Sequence, residues 1–405
     1  QQSPDREELG SNQPGALSVG SSNAAQLESC TDHRCERYIT NNSVHTSMCT
    51  CASPANSSPK SMRLVISMLA HSAPAPIMPM QRARINMVSP GALETFEFNG
   101  HATKYVAHIG SQDDAPPIVF VHGFGASSLQ WRATLADVAA TGRTAYAIDL
   151  LGFGSSPKPA ADYSIELWAS QVRGFVSEVV LAESKQTSAV LVGNSIGSLT
   201  CVQAAATDVS SSIAGVGLFN CAIGMNSKAP PLPTDPIAYA VFFSLIGTPL
   251  FVLIDLLLAS PLGRALFDKV RTDETVRNVL ESGVYRNPVR VDDELVQSIT
   301  RPATDPGAFA AFVAILSGDA GPRPEQLVPQ IREQIPIAVW WGPEDQVTPL
   351  IGVVGEFFKA LPTTRPLTDF VLLPDTGHCP FDDRPELASP ALLEWLDRQW
   401  PTAGV

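Results

Sequence analysis

A chain of 405 residues with 44% hydrophobic and only 17% charged side chains can bury a large core and leaves apolar surface for a lipophilic partner. Its formal charge of −13 repels phosphates, and no basic stripe offsets that field, which argues against nucleic acid as a partner. Seven cysteines divide into Cys30, Cys35, Cys49 and Cys51 near the start and the scattered Cys201, Cys221 and Cys379; three scattered core thiols make no disulfide framework and suit a reducing compartment.

Residues 1 to 92 are rich in Ser, Ala, Pro, Asn and Met and carry no apolar period, so they are expected to form a disordered tail. From Arg37 to Leu93 there is no Asp or Glu, while Arg37, Lys60, Arg63, Arg82 and Arg84 add positive charge among hydroxyl and small residues. That is a transit-peptide composition, and it predicts an organelle address. The apolar piece Leu64 to Ala70 is too short to span a bilayer. Cys30, His33, Cys35, Cys49 and Cys51 lack the spacing of paired zinc knuckles, so no metal site is expected there. The chain opens on Gln1 rather than Met, and Met62 is a candidate start.

From Leu93 short apolar runs alternate with helical stretches. Strands are predicted at Leu93 to Phe98, Thr103 to Ile109, Pro117 to Val121, Thr144 to Ile148, Ala189 to Gly193, Val216 to Asn220, Ile337 to Trp341 and Asp369 to Leu373. The first two flank Asn99-Gly100, a hairpin signal. Helices are predicted at Leu129 to Ala140, Ile165 to Leu181, Ser195 to Ala206, Ile351 to Ala360 and Pro385 to Trp395. Alternation of this kind predicts a mostly parallel, doubly wound sheet of eight strands in an α/β fold.

Residues 93 to 223 and 335 to 405 would form the core, and 224 to 334, inserted after the sixth strand, a helical cap over the carboxyl ends of the strands, where open α/β sheets bind ligands. Within the insertion, Ile237 to Ala259 is apolar apart from Ser244, Thr248 and Asp255. Gly247, Pro249 and Asp255 argue against a membrane span and for two short helices broken near Thr248-Pro249.

The chemistry centres on Gly193-Asn194-Ser195-Ile196-Gly197, between an apolar run and a helix-forming stretch. Gly-x-Ser-x-Gly at a strand-to-helix turn is a nucleophile elbow, in which the glycines make room for a strained serine. An activated serine needs a base, a group to orient the base and donors for an oxyanion. His378, after the last strand, is the candidate base, and Asp345, after the preceding strand, the candidate acid in preference to Glu344, Asp375 and Asp382. The order Ser, Asp, His is that of an α/β-hydrolase. The oxyanion donors would be the amides of Ile196 and of Phe124 in His122-Gly123-Phe124-Gly125. His122 is assigned a structural hydrogen-bonding role and Asp149 the architecture of its loop. An aspartate at the elbow would give the alkyl-ester chemistry of dehalogenases and epoxide hydrolases, whereas Ser195 implies an acyl-enzyme with no cofactor and no metal.

Residues 93 to 395 resemble the chloroplast α/β-hydrolases called chlorophyll dephytylases, with pheophytinases as relatives. The resemblance is carried by His122-Gly123-Phe124-Gly125-Ala126-Ser127, Asp149-Leu150-Leu151-Gly152-Phe153-Gly154, Gly193 to Leu199, Asn220-Cys221-Ala222, Val291-Asp292-Asp293-Glu294-Leu295-Val296 and Gly377-His378-Cys379-Pro380-Phe381-Asp382-Asp383-Arg384-Pro385. It implies hydrolysis of the phytyl ester of chlorophyll or a Mg-free derivative, any magnesium belonging to the substrate; the chloroplast address rests on the composition of the first residues, and peripheral contact to the thylakoid membrane is expected with it. Chlorophyllases proper look different, with a basic residue after the serine where this chain has Ile196. A generic carboxylesterase, a carbon–carbon bond hydrolase and a binding protein that kept the fold without turnover are the alternatives.

Overall fold

The computed structural model describes residues 37–40, 43–46, 92–112, 114–182, 184–226, 228 and 248–402. Its sheet begins with two short strands from the tail, β1 (Arg37–Thr40) and β2 (Ser43–Thr46), paired antiparallel. This corrects the expectation of a tail without regular structure at those residues. The strands add to the edge of the last strand of the sheet through Tyr38 beside Leu372, and an edge strand offers unpaired backbone groups to any segment of adequate β propensity, here Tyr38-Ile39 and Val44. The tail cysteines and most of the transit-like stretch lie outside the described residues.

Eight further strands follow: β3 (Glu94–Phe98), β4 (His101–His108), β5 (Ile118–Val121), β6 (Ala145–Ile148), β7 (Ala189–Asn194), β8 (Ile213–Phe219), β9 (Ile337–Trp341) and β10 (Thr368–Leu372). They lie in the order β10-β9-β8-β7-β5-β6-β4-β3, antiparallel from β3 to β4 and β4 to β6 and parallel elsewhere. All eight match the predicted strands to within a few residues. Asn99 and Gly100 turn the β3–β4 hairpin with φ of 50° and 74°, the left-handed pair whose twist suits a two-residue turn.

Strands β5, β6, β7 and β9 are buried along their whole length, as charge-free strands covered on both faces must be. Val119 and Val121 of β5 point into one cluster, with helices α2 (Ile165–Phe175) and α3 (Ile196–Ala206). Ile118 and Phe120 point into the other, which holds α1 (Arg132–Ala140) and the final helix Pro385–Gln399. Each such side chain contributes about 1.5–3 kcal/mol. The stretch expected as one helix to Leu181 changes after Phe175 to a wider turn, closed by Leu181 N–H donating to Val176 O at 2.9 Å.

Between β8 and β9 the described residues are helical: α4 (Thr248–Leu258), α5 (Pro261–Val270), α6 (Asp273–Val279), α7 (Asp293–Thr300), α8 (Ala308–Ser317) and α9 (Pro324–Leu327). The described part of α4 runs from Thr248-Pro249 onward, and the helix expected before that point, residues 237–247, lies outside the described residues. A break follows at Ala259-Ser260, where Ser260 Oγ accepts from Leu262 N and starts α5. The two helices meet at 73°, and no single helix among the described residues is long and apolar enough to cross a membrane. After β9 come α10 (Val353–Thr364), α11 (Pro380–Asp383) and α12 (Pro385–Gln399).

Candidate active site

Ser195 lies between the end of β7 and the start of α3 with φ 56° and ψ −122°, a conformation that costs a side-chain-bearing residue about 1–3 kcal/mol and persists only where the surroundings enforce it. Crossing backbones enforce it here. A Cβ on Gly197 would lie 2.3 Å from Val121 O, and one on Gly193 would lie 2.4 Å from Gly197 O. Both motif glycines are therefore required by contact. Ser195 N donates to Phe219 O at 3.1 Å, and Ser195 O accepts from Ala222 N at 3.1 Å, so β8 and the turn after it hold the bend from the side.

His378 follows β10 on a loop whose backbone is tied to the elbow: Asn194 Nδ2 donates to His378 O at 2.9 Å. Its ring Nδ1 lies 2.8 Å from Asp345 Oδ2, which leaves Nε2 free of that contact. Of the four carboxylates weighed from the sequence, Asp345 is the one on the histidine. Glu344 instead pairs with Arg286 at 2.6 Å, and Asp382 is buried on Tyr285 and Arg290.

Asp345 Oδ2 also accepts from Asn220 Nδ2 at 2.7 Å and Thr348 Oγ1 at 2.6 Å, and its Oδ1 accepts from the amides of Val347 and Thr348 at 2.7 and 3.0 Å. Burial alone would raise its pKa, but the hydrogen bonds and charge of His378, with those of Thr348 and Asn220, outweigh it and hold the carboxyl at about 2. Asp345 is thus an ionised acceptor that fixes the ring's orientation.

The loop expected to supply an oxyanion donor packs on the elbow: a Cβ at Gly123 would lie 3.2 Å from Ser195 Cβ. Phe124 follows in this turn and is 41% exposed, and Ile196 is 3% exposed at the start of α3, where a first-turn amide has no intrahelical acceptor. Ile196 directly follows Ser195, and Phe124 directly follows the Gly123 that packs on it. His122 is fully buried, which lowers its pKa against the opposing pull of Asp149. The neutral ring donates from Nδ1 to Gly123 O at 2.7 Å and accepts at Nε2 from Leu150 N at 3.1 Å, the structural role foreseen for it. Asp149 likewise braces loops, accepting from Ser128 N and Ser155 N at 2.6 and 2.7 Å. Cys379, beside the histidine, is no rival nucleophile, since burial and then Asp382 push its thiol well above the ordinary range.

Sequence reasoning missed several supports. Asn220, in a left-handed conformation (φ 44°), joins β8 to the acid by donating to Asp345 and accepting from Gly342 N at 3.1 Å. Asp383 accepts from Gly377 N at 2.9 Å, Arg286 N at 3.0 Å and Asn287 N at 2.8 Å. His378 N itself donates to Val284 O at 2.8 Å. Asp382 accepts from Tyr285 Oη and Arg290 Nη2, both at 2.8 Å. The histidine loop is thereby fastened to residues 284–290 from the helical insertion. The only sequence signal was the pair Asp382-Asp383 five residues from a glycine-histidine turn, which does not name its distant partners.

Residues 118–389 match the sequence profile described as the Alpha/beta hydrolase family. A chloroplastic pheophytinase of Arabidopsis thaliana is 25% identical over 317 residues, 70% of this chain and 61% of that protein, so the chain spans about three fifths of the length of this relative. Among solved structures, epoxide hydrolase VrEH1 from Vigna radiata superposes with a TM-score of 0.56 at 16% identity, covering 76% of this chain and 97% of that one. A serine hydrolase involved in carbazole degradation, CarC, does so at 0.54 and 20%, covering 76% and 98%. At these identities the structural likeness speaks for the fold. With the strand order, the strained turn and the profile match over more than half its length, the chain belongs to the alpha/beta hydrolase family.

Proposed function

We propose that the protein is a serine hydrolase that cleaves the phytyl ester of a chlorophyll pigment through an acyl-enzyme. The observation that carries the serine chemistry is the strained Ser195 turn tied through Asn194 to a histidine whose Nδ1 is held 2.8 Å from a buried carboxylate. Ser195 Oγ attacks the ester carbonyl while its proton passes to His378 Nε2, and Asp345 stabilises the imidazolium through the Nδ1–H. The amides of Ile196 and Phe124 stabilise the oxyanion. Collapse breaks the C–O bond of the ester, and the proton on His378 leaves with the alcohol. Water, deprotonated by His378, then attacks the acyl carbon; the bond from that carbon to Ser195 Oγ breaks, His378 returns the proton to Oγ, and the acid leaves. Neither step calls on a cofactor or metal.

The pigment ester rests on the motif resemblance, on the pheophytinase relative and on the apolar helix α8, whose Phe312 lies 6.2 Å from Phe124. The acid-free composition of residues 37 to 93 supports a chloroplast address. Because the chain spans only 61% of that relative, a generic carboxylesterase or carbon–carbon bond hydrolase using the same triad is the second reading. The test is to incubate the purified chain with chlorophyll a, pheophytin a and p-nitrophenyl butyrate and to measure phytol and nitrophenol release. Phytol release supports the pigment ester; nitrophenol release without phytol supports the second reading. A chain that hydrolyses none of them falls to the third possibility, a binding protein.

A further inference from the structure

Away from the triad, the described residues enclose a cavity of about 370 Å³, a size at which small-molecule pockets occur. It lies between the turn Ser128–Trp131 with the start of α1 on the core side and helix α7 of the insertion on the other. Ser128, Arg132, Asp149, Ser155, Gln297 and Arg301 are part of its wall. Ser195, His378, Phe124 and Ile196 are not, so the cavity is separate from the triad and from the expected oxyanion donors.

The charges on this wall are already matched. Arg132 pairs with Asp292 at 2.9 Å and with Glu294 at 3.3 Å. Asp149 accepts the amides of Ser128 and Ser155. Arg301, itself exposed to water, donates to Gln297 Oε1. Two arginines and two carboxylates line the cavity, which leaves no net charge. Widening the count to Asp292, Asp382 and Arg290, which are paired within the same cluster, brings it to one negative charge, so the surroundings offer an anion no attraction. A cation would have to displace Arg132 or the two amides from the carboxylates. A charged ligand would therefore give up hydration for partners that are already engaged.

Hydroxyl groups are what the wall leaves over. Ser127 and Ser128 are only 6% and 5% exposed, and both line the cavity. Ser127 stands where a serine ordinarily caps the turn that follows, yet its side chain makes no capping bond. Neither hydroxyl has a hydrogen-bond partner among the described residues. A buried hydroxyl without a partner is a net cost to the fold, and a ligand in the cavity can supply one. Beside the two serines, Leu93, Val106, Leu129, Leu135 and Pro302 make the rest of the wall apolar. A hydroxyl both donates and accepts. Two of them beside an aliphatic wall suit a ligand that ends in the same group and continues as a hydrocarbon chain.

We propose that this cavity is an accessory binding site for an uncharged single-chain alcohol, its hydroxyl on Ser127 and Ser128 and its chain against Leu93, Val106, Leu129 and Leu135. The assignment does not rest on the ester reading above.

The test is isothermal titration of the full chain with octan-1-ol, octanoate and octylammonium. Two variants accompany the wild type: Ser298→Trp, which fills the cavity from α7, and Ser128→Ala, which removes one hydroxyl and keeps the amide that Asp149 accepts. Octan-1-ol is expected to bind at least about tenfold more tightly than either ion. Ser298→Trp is expected to weaken that binding by about tenfold or more and Ser128→Ala by about three- to tenfold, with the circular dichroism of both unchanged. Should Ser298→Trp fail to fold, Ser128→Ala decides. Absence of octan-1-ol binding by the wild type would overturn the site, and so would binding that both variants retain in full, since the alcohol would then sit elsewhere, the triad included. Tighter binding of octanoate would overturn the uncharged class and assign the cavity to an anion held by Arg301. The titration turns over no ester, so its failure is separate from failure of the ester reading, which Ser195→Ala tests.

Discussion

The two sides of the candidate site are built on opposite terms. On the sheet side every group that matters is buried and hydrogen-bonded: Asp345 holds five donors, Asp383 three backbone amides, and the serine turn is closed by glycine contacts too tight for a methyl group. On the side of α4 and α5 the exposed surface is aliphatic, and the partly buried ion pair of Lys228 with Asp255 draws the charge of α4 inward. Polar satisfaction in low dielectric fixes geometry to fractions of an ångström, because each misplaced group there loses a bond it cannot replace with water. Aliphatic surface fixes no atom but chooses what can approach. Reaction type is therefore expected to follow the first side and substrate class the second.

The largest expected effect is on the first side. Ser195→Ala is expected to lower kcat by more than about a thousandfold on any ester the protein hydrolyses, with an unchanged thermal midpoint; a change within tenfold would detach the serine from the chemistry. Asp345→Asn follows, with a loss of about a hundredfold or more in kcat, because the neutral amide cannot stabilise an imidazolium. That substitution also has a pH signature. Asp345 sits at about 2 in the fold against an ordinary 3.8, so the native state binds fewer protons there than the unfolded chain. Its contribution to stability is complete above about pH 4 and is lost as the pH falls toward 2. Denaturation midpoints of wild type and Asp345→Asn across that window should converge on acidification.

Next come changes that leave the reacting groups in place. Gly197→Ala puts a methyl carbon 2.3 Å from Val121 O and is expected to cost about 3 kcal/mol in urea unfolding. Asp383→Ala removes the acceptor shared by Gly377, Arg286 and Asn287. It is expected to cost about 2–3 kcal/mol and to lower kcat more than it changes KM, since it loosens the histidine loop and not the approach to it. An unchanged kcat would mean that the insertion does not position the base. The smallest effect on stability, within about 0.5 kcal/mol, belongs to Leu256→Glu on the exposed face; a large loss there would mean that the face is packed against protein.

The same division governs what was legible in the sequence. Elements whose cause is local could be read directly: the Asn99-Gly100 hairpin, the charge-free strands β5 and β7, the glycine-flanked serine and the histidine after the last strand. Asp345 was legible because chain order and strand ends limit where an acid can reach the histidine. The roles of Asn220, Asp382 and Asp383 were not, because their partners lie far along the chain: Asp345 for the first, residues 284–290 for the others. The tail hairpin escaped for a similar reason, since an edge strand such as β10 recruits a segment that shows no period of its own. Helix periodicity also says nothing of the wide turn after Phe175, because one extra residue per turn leaves the apolar pattern almost intact.

The central claim, that Ser195 is the nucleophile of a working triad, is tested most directly by covalent labelling. A fluorophosphonate probe reacts with a serine only where a base removes its proton and donors stabilise the phosphorus-bound oxygen. The account predicts one adduct by intact mass, located by peptide mapping on Ser195, absent in Ser195→Ala and strongly slowed in Asp345→Asn. A fold that stays intact yet takes no label, or takes it at another residue, would contradict it.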